Sequence, residues 1–151
     1  MSKQMPKDVL KKEIRTFLEM RKVLVLCTCS ENVPRATPLD FYINKRDKED
    51  FTIYLCPTPG RKVENIKKNP IISIGIYTPM DTGKIQGMQI TASETERLRL
   101  LREEDEGFDD AQKIVRGKRK QILKILPDRI ELLDYDFIQQ GYSRHQTLDL
   151  T

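Results

Sequence analysis

The sequence predicts a mainly β fold, an antiparallel β-barrel with peripheral helices, in one domain spanning residues 1–151. Three observations carry that expectation. Short apolar, β-branched runs follow one another at close spacing, as in Val23 to Cys29, Phe51 to Cys56 and Ile71 to Tyr77. Turn chemistry such as Ser30-Glu31-Asn32 and Pro127-Asp128 separates several of them. The first three runs also leave no room for the crossover helix of a dozen or so residues that a parallel sheet needs.

The opening segment, residues 7–20, carries Val9, Leu10, Ile14, Phe17 and Leu18 at helical spacing between charged residues, so it reads as an amphipathic helix whose apolar stripe covers a sheet. Val23 to Cys29 then reads as a buried strand. Val33 to Ile43 returns as a second strand, and Pro34 and Pro38 place it at an edge or a bulge. The polar tract Asn44 to Asp50 is a loop, and Phe51 to Cys56 completes a meander. A Pro/Gly loop follows and delivers Arg61 and Lys62 to the start of a short helix, which Asn69-Pro70 ends because a residue before proline is pushed out of the helical region.

Ile71 to Tyr77 is read as a fourth strand and Lys84 to Glu96 as a fifth. In the fifth, Gln86, Met88, Ile90, Ala92 and Glu94 share one face, and Ile85, Gly87, Gln89, Thr91 and Ser93 the other. Phe108 to Arg116 is read as a helix joined to the barrel by an acidic stretch. Ile122 to Leu126 and Ile130 to Tyr135 are read as strands on either side of Pro127-Asp128. The barrel is expected to run over about 23–135, and residues 136–151 to form a short strand or extended tail.

Of 151 residues, 38% are hydrophobic and 33% charged, and 27 basic against 23 acidic residues give a net charge of +4. That balance predicts a globular chain with a charged exterior and no nucleic-acid role. The basic run Arg116, Lys118, Arg119 and Lys120 follows an acidic one and is read as locally paired or solvated. No apolar run approaches a membrane span, and the N-terminus lacks the apolar core of a signal peptide, so a cytoplasmic location and no membrane partner are expected. The three cysteines, Cys27, Cys29 and Cys56, match no disulfide framework and no zinc spacing, so no metal is expected.

Arg61 and Lys62 stand out chemically. A helix N-terminus offers unpaired N–H groups and partial positive charge, and two cationic side chains there add charge-assisted hydrogen bonds to an anion such as phosphate.

The order and spacing of Pro34-Arg35-Ala36-Thr37-Pro38-Leu39, Tyr54-Leu55-Cys56, Gly60-Arg61-Lys62, Asn69-Pro70 and Gln86-Gly87-Met88-Gln89-Ile90 resemble the pyridoxamine 5′-phosphate oxidase-like superfamily of FMN-binding split barrels. The resemblance covers roughly residues 14–135. It implies an antiparallel FMN-binding split barrel, an FMN cofactor whose phosphate is held by Arg61 and Lys62, and a ring and ribityl chain flanked by Arg35, Thr37, Pro38 and Leu39. It places Cys56 and Thr58 beside the ribityl-phosphate and Gln86 toward the flavin, with Gln89 as the alternative on the opposite face. On local grounds alone Thr37 is equally an ordinary strand residue, Cys56 a small buried hydrophobe, and Gln86 an exposed strand residue.

The implied function is an oxidoreductase or flavin reductase acting on a small molecule, as a homodimer with FMN at the subunit interface. The vitamin B6 oxidase itself closes its site with a C-terminal segment rich in Trp and Arg, and this chain has no tryptophan, so its substrate is expected to differ. The alternatives are a non-enzymatic flavin-binding or sensor module and a split barrel that holds a deazaflavin or haem. For haem, His145 is the only histidine available as an axial ligand.

Overall fold

A computed structural model describes residues 3–79 and 83–151. Helix α1 (Lys7–Glu19) leads into strands β1 (Val23–Ser30), β2 (Val33–Ile43) and β3 (Ile53–Leu55). Helix α2 (Arg61–Lys68), β4 (Ile72–Tyr77), β5 (Gln86–Ala92) and β6 (Leu98–Arg102) follow, then helix α3 (Phe108–Ile114) and strands β7 (Gln121–Ile125), β8 (Arg129–Asp134) and β9 (His145–Asp149). The strands form one curled sheet in the order β6-β7-β3-β2-β1-β4-β5-β8-β9, and each neighbouring pair is antiparallel. This is a split barrel, as the sequence predicts.

Alternation along the strands divides the sheet into two faces. Leu24, Leu26 and Thr28 of β1, Ile74 and Ile76 of β4, and Met88 and Ile90 of β5 are buried on the inner one. The apolar stripe of α1, Leu10, Ile14, Phe17 and Leu18, packs into the same core. On the outer face at the other end, α3 covers β3, β6 and β7 through Phe108 and Ala111 against Tyr54, Leu101 and Ile122, so β3 is buried on both sides.

Four expectations need correction. Lys84 to Glu96 is not one strand: only Gln86–Ala92 pairs, and a 3-10 turn at Thr95–Arg97 redirects the chain. Leu98–Arg102 is then a strand, not part of an acidic connection, because β7 gives its backbone a ladder. The helix after it ends at Ile114 rather than Arg116. Finally, the strands on either side of Pro127-Asp128 are not neighbours. β7 pairs with β3 and β6, whereas β8 pairs with β5 and β9. Arg97 and Asp128 tie this corner together: Arg97 lies 2.6 Å from Asp128 and donates to the carbonyls of Leu126 and Pro127, while Asp128 accepts from Ser93 N–H and hydroxyl. The C-terminal stretch folds as a 3-10 segment, Tyr135–Gln140, followed by β9 at the sheet's edge.

Strand β2 positions the site. Along its whole length to Asp40 it pairs with β1, but only Phe41–Ile43 pairs with β3. Phe41 N–H donates to the Lys22 carbonyl at 2.9 Å, so odd-numbered residues of β2 direct their backbone groups to β1 and even-numbered ones away from it. Pro34 and Pro38 therefore sit where the missing N–H would face the open side, and the proline-containing half of β2 is an edge, as expected.

Candidate functional site

The N-terminus of α2 faces this open edge. Gly60 precedes the helix without a side-chain cap, which leaves the amides of Arg61, Lys62 and Val63 free of helical acceptors. The helix is fixed to β1 by two asparagines one turn apart: Asn65 donates to the Thr28 hydroxyl at 3.1 Å and Asn69 to the Cys29 carbonyl at 3.0 Å. Asn69 is extended before Pro70, as the stop signal requires.

Two clefts lie at the two ends of the open β2 segment. The first, about 300 Å³, is lined by Asn65 and by the cations Arg35, Arg61 and Lys68 against the carboxylates Glu31 and Glu64. The second, about 360 Å³, is lined by Pro38, Leu39, Asp40, Tyr42, Cys56 and Arg119. From Pro34 to Pro38 a strand advances roughly 13 Å at ~3.3 Å per residue. Between them, the outward backbone offers the carbonyls of Pro34, Ala36 and Pro38 and one donor, the Ala36 N–H.

The expected site residues thus separate into groups. Arg35 and Arg61 share the first cleft, and Pro38, Leu39 and Cys56 the second. Lys62 reaches Thr58, its Nζ 3.4 Å from the hydroxyl oxygen. Thr37, half-buried, pairs with Leu26 between the two clefts. Gln86 stands elsewhere: its carbonyl oxygen accepts from Arg21 and the Thr78 hydroxyl, both at 3.1 Å, and its amide donates to Asp134 at 2.7 Å. It opens onto a larger cleft of about 690 Å³ with Arg21, Tyr77, Asp134 and Phe137. Gln89 is on the outer face, in a trough floored by Gly75 and Gly87 and bordered by Val25, Tyr77 and Leu133. His145 borders that trough too, its Nε2 3.7 Å from Glu131.

Electrostatics differ between the clefts. Burial pushes the Cys56 thiol above its ordinary pKa, while nearby Arg119 pulls the other way. Burial also raises the Tyr54 phenol beneath α3, with Asp47 and Asp110 adding to the shift. Arg119, Tyr42 and Asn65 line these clefts without standing out in the sequence. For Asn65 and Asn69 the four-residue spacing was a usable signal, whereas Arg119 was hidden in its basic run. Arg116, Lys118 and Lys120 are exposed and form no ion pair with the acidic run among the described residues, so that run is solvated rather than paired.

The family model described as pyridoxamine 5′-phosphate oxidase matches residues 10–134, which include both clefts and the α2 corner. The chain belongs to this family. No curated protein matches it. Among solved structures, it is similar to a FAD-binding protein from Mesorhizobium loti at 15% identity, over 80% of this chain and 90% of that one, with a TM-score of 0.65. A protein related to general stress protein 26 from Clostridium acetobutylicum superposes with a TM-score of 0.64 at 15% identity, covering 96% and 97% of the two chains. A heme-binding protein from Mycobacterium smegmatis gives 0.66 at 17% identity, over 96% of this chain but only 59% of its own. At these identities the likeness is one of fold. Among the described residues, no three His, Cys, Asp or Glu side chains gather as metal ligands, and no helix is long and apolar enough to cross a membrane.

Proposed function

We propose that this protein binds FMN along the open edge of β2 and works as a flavin-dependent oxidoreductase or flavin reductase on a small molecule. The observation that carries the reading is the half-paired strand itself, with a cleft along the flank of α2 that includes Arg35 and Arg61 at one end and a partly apolar cavity at the other. Arg61 and the free amides of α2 take the phosphate, and Lys62 and Thr58 add a second cation and a hydroxyl beside it. Arg35, Thr37, Pro38 and Leu39 flank the ribityl chain and ring, and Cys56 closes the far end. The bound flavin supplies hydride or single-electron chemistry, and the protein supplies position and electrostatics.

The reading includes a cytoplasmic homodimer. The dimer's support is the outer face of β1, β4, β5 and β8, where Val23 and Tyr77 are exposed by 50% and 69% and Tyr77 borders the glycine-floored trough. In such a dimer Gln86, whose cleft is separate from the edge of its own β2, is available to the cofactor of the second subunit.

The test is to purify the protein, record its visible spectrum, and identify by chromatography what denaturation releases. Released FMN, or stoichiometric uptake of added FMN by colourless protein, is the expected result. Release of FAD, a deazaflavin or haem instead, or failure to take up FMN, overturns the assignment. Light scattering on the same sample reads the dimer.

A further inference from the structure

Two opposite charges meet at the largest cleft only through a neutral amide. Arg21, just beyond α1, and Asp134, the last residue of β8, form no ion pair among the described residues. The Gln86 side chain bridges them: its oxygen accepts from Arg21 Nη2 and from the Thr78 hydroxyl, both at 3.1 Å, and its Nε2 donates to Asp134 Oδ2 at 2.7 Å. Each neighbour is itself held. The Arg21 guanidinium lies 4.6 Å from the centre of the Phe17 ring, its Nη1 donates to the Met20 carbonyl at 3.3 Å, and its Nη2 also donates to the Thr78 hydroxyl. Asp134 is buried, and its Oδ1 accepts from Asp136 N–H at 2.9 Å.

Such neighbours allow one orientation of the amide. With its oxygen and nitrogen exchanged, the NH2 would face the Arg21 donor and the oxygen would face the Asp134 carboxylate, so both charged contacts would become repulsive. In the orientation that remains, the oxygen accepts two bonds and one N–H is taken by Asp134, while the second N–H has no partner among the described residues. Gln86 is half-buried and lines the cleft of about 690 Å³, so that N–H is what it has left for an occupant. A positive charge at its oxygen and a negative one at its nitrogen polarise the amide in line with its own dipole.

We propose that Arg21 and Asp134 are positioning residues that fix which end of the Gln86 amide faces the cleft. Gln86 then meets the cofactor of the second subunit as a hydrogen-bond donor only, and the flavin atom opposite it is an acceptor. The assignment rests on the flavin reading for the identity of the occupant; the fixed amide is a property of the chain alone.

The amide is read first by NMR of the isotope-labelled full chain without cofactor, its two side-chain protons assigned by their loss in Gln86→Met. The proton bonded to Asp134 is expected well downfield of those of the exposed Gln139, and the other close to them. Quenching of flavin fluorescence then gives FMN affinity, with circular dichroism and light scattering to confirm a folded dimer. Gln86→Met is expected to weaken FMN about tenfold, the scale of one hydrogen bond. In Arg21→Met, Asp134→Asn both charges leave together, so neither is stranded. The introduced asparagine keeps its oxygen for Asp136 N–H and turns its NH2 toward Gln86, whose amide then turns over and shows the cleft an oxygen. This double variant should therefore lose the shifted proton and bind FMN about tenfold more weakly although Gln86 is intact. Adding Gln86→Met to it should cost nothing further, and Arg21→Lys, which keeps a donor for the amide oxygen, should bind FMN nearly as the parent does.

Equal penalties for Gln86→Met in the parent and in the double variant overturn the proposal, since the amide would then act independently of the two charges. A folded double variant with the parent's FMN affinity overturns it too, as does a Gln86→Met protein that binds FMN like the parent, or a pair of Gln86 protons that both fall with those of Gln139. A chain that takes up no FMN but shows the shifted proton, and loses it in the double variant, overturns the flavin reading and leaves the positioning of the amide standing.

Discussion

Replacing Arg61 and Lys62 together with alanine separates phosphate recognition from everything else these residues touch. Among the described residues the Arg61 side chain makes no hydrogen bond or ion pair, and the one polar contact of the Lys62 side chain is the long 3.4 Å approach to Thr58. The fold therefore loses little, within about 0.5 kcal/mol for surface positions of this kind. Binding loses two charge-assisted contacts, each ~1.5–3 kcal/mol in general. Arg61 is exposed and Lys62 half-buried, so solvent screening favours the low end, about 3 kcal/mol for the pair. That is a rise in the FMN dissociation constant of roughly 150-fold. The helix amides remain, so affinity falls without vanishing. Quenching of flavin fluorescence gives the constants for FMN and for riboflavin, which lacks the phosphate. The preference for FMN over riboflavin should collapse while riboflavin binding stays within about twofold, the noise expected of a surface change. A folded double variant that keeps the parent's FMN preference places the phosphate elsewhere and refutes the reasoning.

Three further outcomes follow from the geometry. Asp128→Ala leaves the partly buried Arg97 uncompensated and Ser93 without its acceptor, costing about 3 kcal/mol and lowering the urea midpoint by roughly 1.5 M at a slope of ~2 kcal/mol/M. Gln86→Leu removes a donor from the buried Asp134 carboxylate and an acceptor from Arg21, so thermal melting should show a loss of about 2 kcal/mol, or roughly 4–8 °C. Unchanged stability with weakened FMN binding in that variant shows that the flavin is the amide's main partner. Asp47 is the acid-sensitive group. Burial alone would raise its pKa, but N–H bonds from Asp50, Thr52 and Glu49 outweigh it and hold the carboxyl below 3.8. Its stabilisation is therefore present above that ordinary value and is lost as pH falls through the lower folded value. Urea midpoints measured from about pH 5 down to about pH 2 should fall less steeply in Asp47→Asn than in the parent.

Those parts of the fold that obey local rules were legible in the sequence. The meander, the opening helix and the stop at Asn69-Pro70 depend on residues within a few positions of one another. Strand β6 was not legible, because Leu98, Leu100 and Leu101 fit neither period cleanly and its ladder comes from β7, about twenty positions further on. The separation of β7 from β8 has the same cause, since Pro127-Asp128 signals a turn and says nothing of which neighbours each strand takes. At the site, Arg61 was legible because its chemistry comes from its own helix. Arg119 was not, because in the chain it is one cation of four, and only the packing of α3 against β3 and β7 carries it to Cys56. The separate placement of Gln86 depends on Arg21 and Asp134, far away on either side in sequence.

The prolines explain why an open edge exists here at all. Continuing the β2–β3 register past Tyr42–Tyr54 would set Asp40 against Cys56, Pro38 against Thr58, Ala36 against Gly60 and Pro34 against Lys62. Those are the pairs in which β2 directs its backbone toward β3, and in two of the four a proline has no N–H to give. The ladder stops, the chain leaves the sheet through Pro57 and Pro59, and α2 begins where β3 would have run on. The missing donors also discourage a strand of another chain from adding to the edge. What remains is an acceptor-rich strip with the Ala36 N–H and C=O as one intact donor–acceptor pair. The ring of the proposed flavin carries an N–H flanked by carbonyls, a pattern that matches Ala36 alone and needs nothing from Pro34 or Pro38. A peptide strand needs a donor at every second residue, and β2 offers it too few.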